Sequence, residues 1–486
     1  MTGPPSGRAR ALTAVGAGLS AVAVVLLGLG SRGVEDNGDG FRLICGEGLV
    51  PRTVDGIASW KGGVVTDFAL ASAPTCAESA PSSARLVLRT AVLLSEDTLD
   101  LRTVGLLYAL LVGLVVGLAA WAATATGLRR ALVLVVPVAP LALPWFSRFF
   151  VSTYVEPAGL LGTVAVGCGL AAFLAARHAA PGDRAAALAL VAVGGLVAGT
   201  AKPAYLPVLA VAVAVVAVGS RSLVRRGRQR WVPVVVVAVL VAGAAAPVGA
   251  ALRFQAIAYE SANVHDLAFT LVLPELGPGA TTDLALPPEA AAYTGTGFFN
   301  GPPHPSAAWW REAVLTRPDA TRARVHRTLA SEPAAVVRAI GVGLRATVRA
   351  DLPYLASGPA VTNRLSPLGG DPGWSGARQS DFRRVLDAGG WWQWLPALLV
   401  AACLAVGWRR TPWCRAAGLA GVTALGLVAA AVFGDGYFEL FKHVWPASYV
   451  LIVAALCLVG AGLSITVRTK RVRRALTGPT LANRAH

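Results

Sequence analysis

Long apolar runs recur along this chain, and they constrain its fold more than any other feature of the sequence. A helix that crosses the hydrocarbon core of a bilayer needs about 20 mostly apolar residues. Ten runs approach that length, so the sequence predicts an all-α polytopic membrane protein with about ten transmembrane helices. The predicted spans lie near residues 11–30, 103–123, 131–146, 157–176, 185–200, 203–220, 231–252, 391–408, 415–433 and 444–465.

Two stretches between these runs are too long to be simple connections. Residues 31–102 and 253–390 are predicted to form large extracytoplasmic loops that contain short interfacial helices. The predicted regions are 1–252 (N-terminal membrane region with the loop 31–102), 253–390 (a cap on the outer face) and 391–486 (C-terminal membrane region with a basic cytoplasmic tail). The predicted short helices are 84–94, 306–315 and 333–352.

The distribution of charge indicates the orientation. The net charge is +17. If the N-terminus lies inside, the segments on the inner side hold 20 of the 43 basic residues but a single acid, Asp183. This asymmetry follows the positive-inside rule, so both termini are expected to be cytoplasmic, with the inner arginines facing membrane lipids. An Ala-, Val-, Gly- and Arg-rich composition with one Met is typical of a high-GC bacterium, which predicts a bacterial cell membrane. No fold or aromatic-basic pattern supports binding of nucleic acid.

Cysteine positions separate into two groups. Cys45 and Cys76 share the first outer loop, where an oxidising compartment would permit a disulfide, although two free thiols remain the alternative. The other four cysteines lie in spans or in an inner connection and are interpreted as small apolar residues. No cysteine or histidine spacing indicates a zinc site.

The first outer loop opens with an acidic, glycine-rich stretch. Asp36, Asp39 and Arg42 lie within the twelve residues that follow the first span, and glycines flank Asp39. Glycine allows a tight turn and a close approach of the backbone to a ligand. A solvated turn is the alternative interpretation.

The next two outer connections are short and contain few charges. Arg148 lies in an aromatic turn, Glu156 begins the fourth span, and Lys202 stands alone between two apolar spans. An ionisable residue at membrane depth is a functional candidate. The alternatives are that Glu156 complements the helix dipole and that Lys202 extends to the interface.

The last outer connection repeats the Gly-Asp-Gly pattern of the first loop. Asp435, Glu439, Lys442 and His443 lie within nine residues, and helical spacing places them on one face. A solvated helix start is the alternative. Under the predicted topology all these charged residues face one side of the membrane, so we expect side chains from four outer segments to converge.

Mixed acids and cations at one membrane surface suit a sugar carried on a lipid phosphate. One carboxylate would accept the proton of the acceptor hydroxyl, and cations would stabilise the departing phosphate. Asp39 is the expected base, with Asp36 and Glu156 as further catalytic candidates. The expected substrate-binding residues are Arg42, Arg148, Lys202, Asp435, Glu439, Lys442 and His443.

Four stretches carry a resemblance to a known superfamily: NGDGFRL at 37–43, STYVEPAGLL at 152–161, AKPAYLP at 201–207 and GDGYFELFKH at 434–443. The chain resembles the GT-C superfamily of polyprenyl-phosphate-sugar-dependent membrane glycosyltransferases, and more narrowly bacterial envelope-glycan hexosyltransferases. The resemblance implies a polyprenyl-phosphate sugar donor, a lipid or glycan acceptor, inversion at the anomeric carbon, and Asp39 as the base by position. The first loop lacks the adjacent acidic pair or DxD of the commonest pattern, which leaves a divalent metal and the identity of the base open.

Other functions fit the same topology. A lipid-linked glycan flippase or transporter would need charges in mid-span or inverted repeats, and the spans contain almost no charge. A polysaccharide polymerase or ligase is a related enzyme that would also use outer-loop arginines. A structural membrane protein without catalytic activity is the remaining alternative.

Overall fold

The computed structural model of the chain is a bundle of apolar helices with most of its polar segments gathered at one end. It describes residues 5–29, 39–53, 56–57, 63–64, 66–76, 79–223, 231–299, 307–349, 364–365, 389–409 and 411–477. The side chains of Arg42, Val232 and residues 53–65 and 465–477 lie outside this description.

Helices make up most of the described chain. The longer α-helices are α1 (Gly7–Leu29), α3 (Ala84–Leu93), α4 (Leu101–Ala123), α7 (Glu156–Ala175), α8 (Pro181–Ala201), α9 (Leu206–Arg221), α10 (Val232–Ala258), α15 (Pro318–Ser331), α16 (Pro333–Ala346), α17 (Leu395–Gly407), α18 (Pro412–Asp435) and α20 (Trp445–Thr477). The shorter ones are α2 (Phe41–Ile44), α5 (Val135–Val138), α6 (Pro144–Ser147), α11 (Glu260–Asp266), α12 (Leu273–Leu276), α13 (Ala280–Asp283), α14 (Ala308–Trp310) and α19 (Leu440–His443). Wider π-helical turns occur at Leu267–Val272 and Arg311–Thr316.

Among the described residues, eight helices are long and apolar enough to cross a membrane. They correspond to eight of the ten predicted spans, and their ends agree with the prediction to within about six residues. The chain is therefore a multi-pass, all-α membrane protein, and the predicted fold class is confirmed.

The remaining two predicted spans have a different form. The run predicted at 131–146 is a broken helix, in which Leu128–Ala142 and Pro144–Val151 meet at 78°. Three prolines explain the break, because each removes a backbone donor and clashes with the preceding turn. The run predicted at 391–408 is a shorter apolar helix, Trp391–Gly407.

The segments 31–102 and 253–390 contain short strands that the sequence did not predict. They are β1 (Leu49–Thr53), β2 (Gly56–Ile57), β3 (Gly63–Val64), β4 (Asp67–Leu70), β5 (Thr98–Asp100) and β6 (Arg364–Leu365). Four form an antiparallel sheet in the order β2-β1-β4-β5, with Leu49 opposite Leu70 and Phe68 opposite Leu99, while β3 pairs with β6. Strands of two to five residues are too short to show an alternating pattern in sequence.

Side-chain bonds hold this outer sheet to the neighbouring helix. Cys45 and Cys76 form a disulfide with a Cα–Cα distance of 5.3 Å. Arg85 and Arg89, one turn apart on α3, donate to the two carboxylate oxygens of Glu47 at 2.6 and 2.8 Å. The charged face of the predicted 84–94 helix therefore binds the loop that precedes it.

Glycines allow the spans to pack closely. A Cβ at Gly162 of α7 would lie 2.4 Å from the backbone nitrogen of Ala198 in α8. A Cβ at Gly113 of α4 would lie 3.0 Å from the backbone oxygen of Gly18 in α1. Small residues at such crossings are typical of helix pairs in membranes, where close packing drives association.

The segment after α10 packs onto the bundle. α16 places Gly343 where a Cβ would lie 2.6 Å from Val428 of α18. Arg338 of α16 donates to Glu275 at 3.1 Å, and Arg345 donates to Gln393 at 3.0 Å. These two arginines of the predicted 333–352 helix thus bond to the protein itself.

Basic residues collect at the opposite end of the bundle. Arg10 of α1 forms an ion pair with Asp183 of α8 and donates to the carbonyl of Trp121 at 2.8 Å. Arg184 donates to the carbonyl of Ser222 at 3.3 Å. The connections that the sequence assigned to the inner side therefore meet at one end, which we call the arginine end.

A cavity of about 540 Å³ opens within the spans at the arginine end. Its lining extends along α7 from Thr163 to Ala175, about 18 Å of helix, and along α20 from Tyr449 to Ser464. No residue of the outer charged loops lines it.

Candidate functional site

The end of the bundle opposite the arginine end holds a charged cluster built around Lys442. This residue belongs to α19, the single turn between α18 and α20, and only 1% of its side chain is exposed. Its ammonium group forms an ion pair with Asp39, which lies 403 residues earlier beside the N-terminus of α2. It also bonds to Glu439 at 3.2 Å and lies 4.9 Å from the ring centroid of Tyr154.

Asp39 differs from the other acids of the cluster because 34% of its side chain is exposed. Its second carboxylate oxygen accepts a hydrogen bond from the hydroxyl of Tyr259 at 3.4 Å. Asp39 thus presents a carboxylate at the surface while Lys442 binds it from below. Solvent on the open side screens this ion pair in part.

The backbone before Lys442 is held in an unusual conformation. Gly436 has φ +65°, and a Cβ there would lie 2.5 Å from the hydroxyl of Thr270. Glu439 is also left-handed, with φ +46°, which is uncommon for a residue other than glycine. The neighbouring Tyr437 fixes the loop, since its N–H donates to Thr270 and its hydroxyl to Glu275, both at 2.8 Å.

A second buried ion pair joins the two short outer connections. Lys202, in the break between α8 and α9, lies 3.1 Å from the Oε1 atom of Glu156 at the start of α7. Tyr205 donates to the Glu156 carbonyl at 3.4 Å, and its ring occupies the space where a Cβ of Gly159 would be. Glu156 therefore has both the dipole position that the sequence indicated and a specific partner. Its Oε2 atom is buried and has no hydrogen-bond partner among the described residues.

Asp435 and His443 form the third pair of the cluster. The His443 Nδ1 atom lies 3.4 Å from the Asp435 carboxylate. With its amide oriented as its neighbours require, Asn263 donates to Asp435 at 3.0 Å and to the carbonyl of Tyr259 at 3.2 Å. Residues of α11 therefore form one wall of the cluster.

The charges of the three pairs influence one another, and this shows how close they lie. Burial would raise the pKa of Asp39, but Lys442 and Lys202 outweigh it and hold that pKa well below its ordinary range. Burial would lower the pKa of Lys442, but Asp39 and Glu439 raise it well above the usual value. Burial, Lys202 and Lys442 together lower the pKa of His443, so its ring is neutral at neutral pH.

Below the cluster lies a buried carboxyl group that the sequence did not single out. Asp266 of α11 accepts a hydrogen bond from the Phe298 N–H at 2.7 Å. Burial and the nearby acids Asp435 and Glu439 raise the pKa of Asp266 well above its ordinary value, against the effect of that hydrogen bond. The Asp266 carboxyl group therefore keeps its proton to a higher pH than an ordinary aspartate does.

The predicted site residues thus fall into three groups. The cluster brings together Asp39, Glu156, Lys202, Asp435, Glu439, Lys442 and His443. Arg148 is the residue before Phe149, whose ring lies 5.8 Å from that of Tyr154, but no ion pair among the described residues joins Arg148 to the cluster. Its Nε atom is buried without a hydrogen-bond partner there. Asp36 and the side chain of Arg42 lie outside the described residues.

Sequence reasoning missed the contributions of Tyr154, Tyr259, Asn263 and Asp266. Asn263 lies four residues after Tyr259, and Asp266 lies three residues after Asn263. This spacing places Tyr259, Asn263 and Asp266 on one helical face, and it is visible in the sequence. It was overlooked because residues from 253 onward were assigned to a loop, whereas α10 continues to Ala258 and α11 follows at once.

Within the described residues, no group of three or more His, Cys, Asp or Glu side chains has the geometry to hold a metal ion. When its acids are ionised, the cluster has four carboxylates against the two ammonium groups of Lys202 and Lys442, a balance of −2. A divalent cation would suit that balance, but the acids are each engaged with a lysine or His443.

A family model described as YfdI N-terminal transmembrane domain matches residues 9–342. The match covers about two thirds of the chain, so the chain belongs to this family. It includes Asp39, Glu156 and Lys202 and ends before the loop that contains Lys442. No curated protein and no solved structure matches the chain.

Proposed function

We propose that this member of the YfdI N-terminal transmembrane domain family is a membrane glycosyltransferase. In this proposal it transfers a sugar from a polyprenyl-phosphate donor to an envelope glycan or lipid acceptor, with inversion, on the extracytoplasmic side. The observation that carries the proposal is the partly exposed Asp39 carboxylate, which Lys442 binds from below among side chains of four outer segments.

The proposed step is a single displacement. The acceptor hydroxyl attacks the anomeric carbon as the bond from that carbon to the phosphate oxygen breaks. The hydroxyl proton passes to Asp39, and the bonding electrons leave with the polyprenyl phosphate. Attack from the face opposite the phosphate accounts for inversion.

The charges around Asp39 shape its role as a base. Lys442 and Lys202 lower its pKa, so it stays ionised across the physiological range but is a weak base in the ground state. This suffices for a late proton transfer, because the hydroxyl becomes strongly acidic as its oxygen bonds to carbon. The neutral ring of His443 adds no competing positive charge.

The donor phosphate needs a cation that the cluster does not already neutralise. Lys202 and Lys442 are each paired with carboxylates. Arg148 is the better candidate, because its buried Nε has no hydrogen-bond partner among the described residues and a guanidinium binds phosphate in a bidentate manner. Arg42 is the other cation that the sequence assigns to this role.

Replacing Asp39 with asparagine tests the proposal. With donors that carry labelled glucose, galactose or mannose on polyprenyl phosphate, Asp39→Asn in isolated membranes should lower sugar transfer at least about 100-fold. The matched control is Asp97→Asn, which removes an exposed acid of the same outer segment and should retain activity. Full transfer by Asp39→Asn would show that Asp39 is not the base, and no transfer by the wild type with any donor would reject the proposed activity.

A lipid-linked glycan transporter is the second candidate. The observation that favours it is the cavity at the arginine end, whose deepest residue on α7, Thr163, lies about 10 Å along the helix from Glu156. Two compartments on either side of a packed layer are typical of alternating access. Movement of a fluorescent lipid-linked sugar across liposomes by the purified protein, without sugar transfer, would favour this candidate.

A further inference from the structure

The cavity at the arginine end has an apolar wall along its whole length. Val166, Leu170 and Leu174 recur every four residues on α7 and form one stripe that faces the lumen. Val453 and Cys457 of α20 line the other side at the same spacing.

The few polar groups in the lumen already have hydrogen-bond partners within the protein. Thr163 donates to the Gly159 carbonyl and Thr423 to the Leu419 carbonyl, both at 2.8 Å, and Tyr449 donates to the Pro137 carbonyl at 2.5 Å. A water molecule in an interior site needs two to four polar partners. This lumen therefore suits an apolar occupant, which would gain dispersion contacts with its walls.

The mouth of the cavity differs sharply from its interior. Arg130 and Arg177 line it, both exposed, and no acidic residue is among the lining. The acid that the sequence assigns to this end, Asp183, forms an ion pair with Arg10. Two cations at the mouth of an apolar lumen are complementary to an anionic headgroup that carries a hydrocarbon chain.

The length of the lumen indicates which hydrocarbon chain fits. One leaflet fills half of the hydrocarbon core, about 15 Å. The lining of about 18 Å along α7 therefore accommodates one acyl chain from its headgroup to its end. Tyr205 is buried and its ring packs on Gly159, which lies between Glu156 and the lining residue Thr163 on α7, so the chain would end short of the charged cluster.

We propose that this cavity binds one acyl chain of an anionic phospholipid whose headgroup pairs with Arg130 and Arg177. The site is separate from the charged cluster and does not depend on the proposed sugar transfer. The bound lipid fills a gap between α7, α18 and α20 and so stabilises the arrangement of these spans.

Native mass spectrometry of the purified, delipidated protein tests the proposal. Phosphatidylglycerol should bind with one tight equivalent and phosphatidylcholine should not. The variant Arg130→Gln/Arg177→Gln should bind phosphatidylglycerol about 25-fold more weakly, since each arginine at a membrane surface contributes about fivefold. The control Arg129→Gln/Arg221→Gln removes two exposed arginines of the same end that do not line the cavity and should bind normally.

A second variant tests the lumen rather than the charge. Ala171→Phe would fill the cavity from α7 and should abolish the tight equivalent while both arginines remain. The control Leu114→Phe enlarges an exposed side chain on α4 and should leave binding intact. Equal binding of the neutral lipid, or unchanged binding in both cavity variants, would overturn the proposal. Displacement of phosphatidylglycerol by an equimolar polyprenyl phosphate would overturn the phospholipid assignment.

Discussion

At the scale of single residues, the charged cluster is notable for burying Lys442 between two carboxylates. Taking a charge out of water costs several kcal/mol unless partners compensate for it. Asp39 and Glu439 supply that compensation, but they come from segments about 400 residues apart in sequence. The position of α19 therefore depends on the first outer loop being in place.

Lys442→Met should destabilise the protein, because it leaves the buried carboxylate of Glu439 without this ammonium group. Removing one partner of a buried ion pair costs about 3 to 5 kcal/mol of folding stability. We expect a loss at the lower end of this range because about a third of the Asp39 side chain is exposed to solvent. The measurement is the melting temperature in detergent. Lys442→Met/Glu439→Gln should recover part of the loss, and an equal or larger loss in the double variant would contradict this explanation.

A buried histidine gives a second prediction at the residue scale. His265 is fully buried, its Nδ1 accepts a hydrogen bond from Trp310 at 3.0 Å, and its Nε2 lies 3.1 Å from the Thr296 carbonyl. Burial lowers its pKa from 6.5 to about 3, so the ring is neutral in the folded protein. The unfolded chain binds a proton below pH 6.5, and stability is therefore complete above that pH and decreases as the pH falls toward 3.

Unfolding measured at pH 7 and pH 5 should show this effect. His265→Gln keeps a donor and an acceptor but has no group that titrates in this range. The wild type should lose about 2 kcal/mol more than the variant between the two pH values. Comparison with the variant cancels the contribution of His443, whose pKa is also lowered. Identical pH dependence in both proteins would show that His265 does not carry the effect.

At the scale of elements, close packing of spans places the second ion pair. Gly162 of α7 faces Ala198 of α8, and these helices carry Glu156 and Lys202 at their outer ends. Gly162→Ala would place a Cβ 2.4 Å from the Ala198 backbone nitrogen, so the helices must separate at a cost of about 1 to 3 kcal/mol. We expect a lower melting temperature and weaker sugar transfer.

The control for this variant is Gly243→Ala in α10, where a Cβ meets nothing within 4 Å. Alanine favours a helix over glycine by about 1 kcal/mol, so this variant should be neutral or more stable. If the two variants behaved alike, helix propensity rather than the α7–α8 contact would explain the result.

The sequence predicts those parts of the fold that the bilayer and local backbone chemistry determine. The spans were predictable because the bilayer sets their length. The presence of a break within 131–146 was predictable because prolines interrupt a helix. The short outer strands were not, since two to five residues show no period and their partners are distant in sequence. In the site, charges at span ends identified most members of the cluster, but the pairing of Lys442 with Asp39 depends on packing across the whole chain.

At the scale of the whole molecule, the two ends of the bundle have opposite character. One end carries the charged cluster, the sheet and the disulfide, and the other carries arginines around an apolar cavity. An arginine-rich end is expected to face the cytoplasm, and a disulfide is expected in an oxidising compartment. Both features favour the same orientation for reasons that are independent of each other.

Single cysteines at the two ends would test this orientation. Asp97→Cys lies in an exposed turn beside the outer sheet, and His178→Cys lies in an exposed turn at the arginine end. A membrane-impermeant maleimide should label Asp97→Cys in intact spheroplasts and His178→Cys only after permeabilisation. The wild type should stay unlabelled, because Cys45 and Cys76 are bridged and the other four cysteines are buried. The reverse pattern would place the charged cluster in the cytoplasm, where a donor that is presented outside could not reach Asp39.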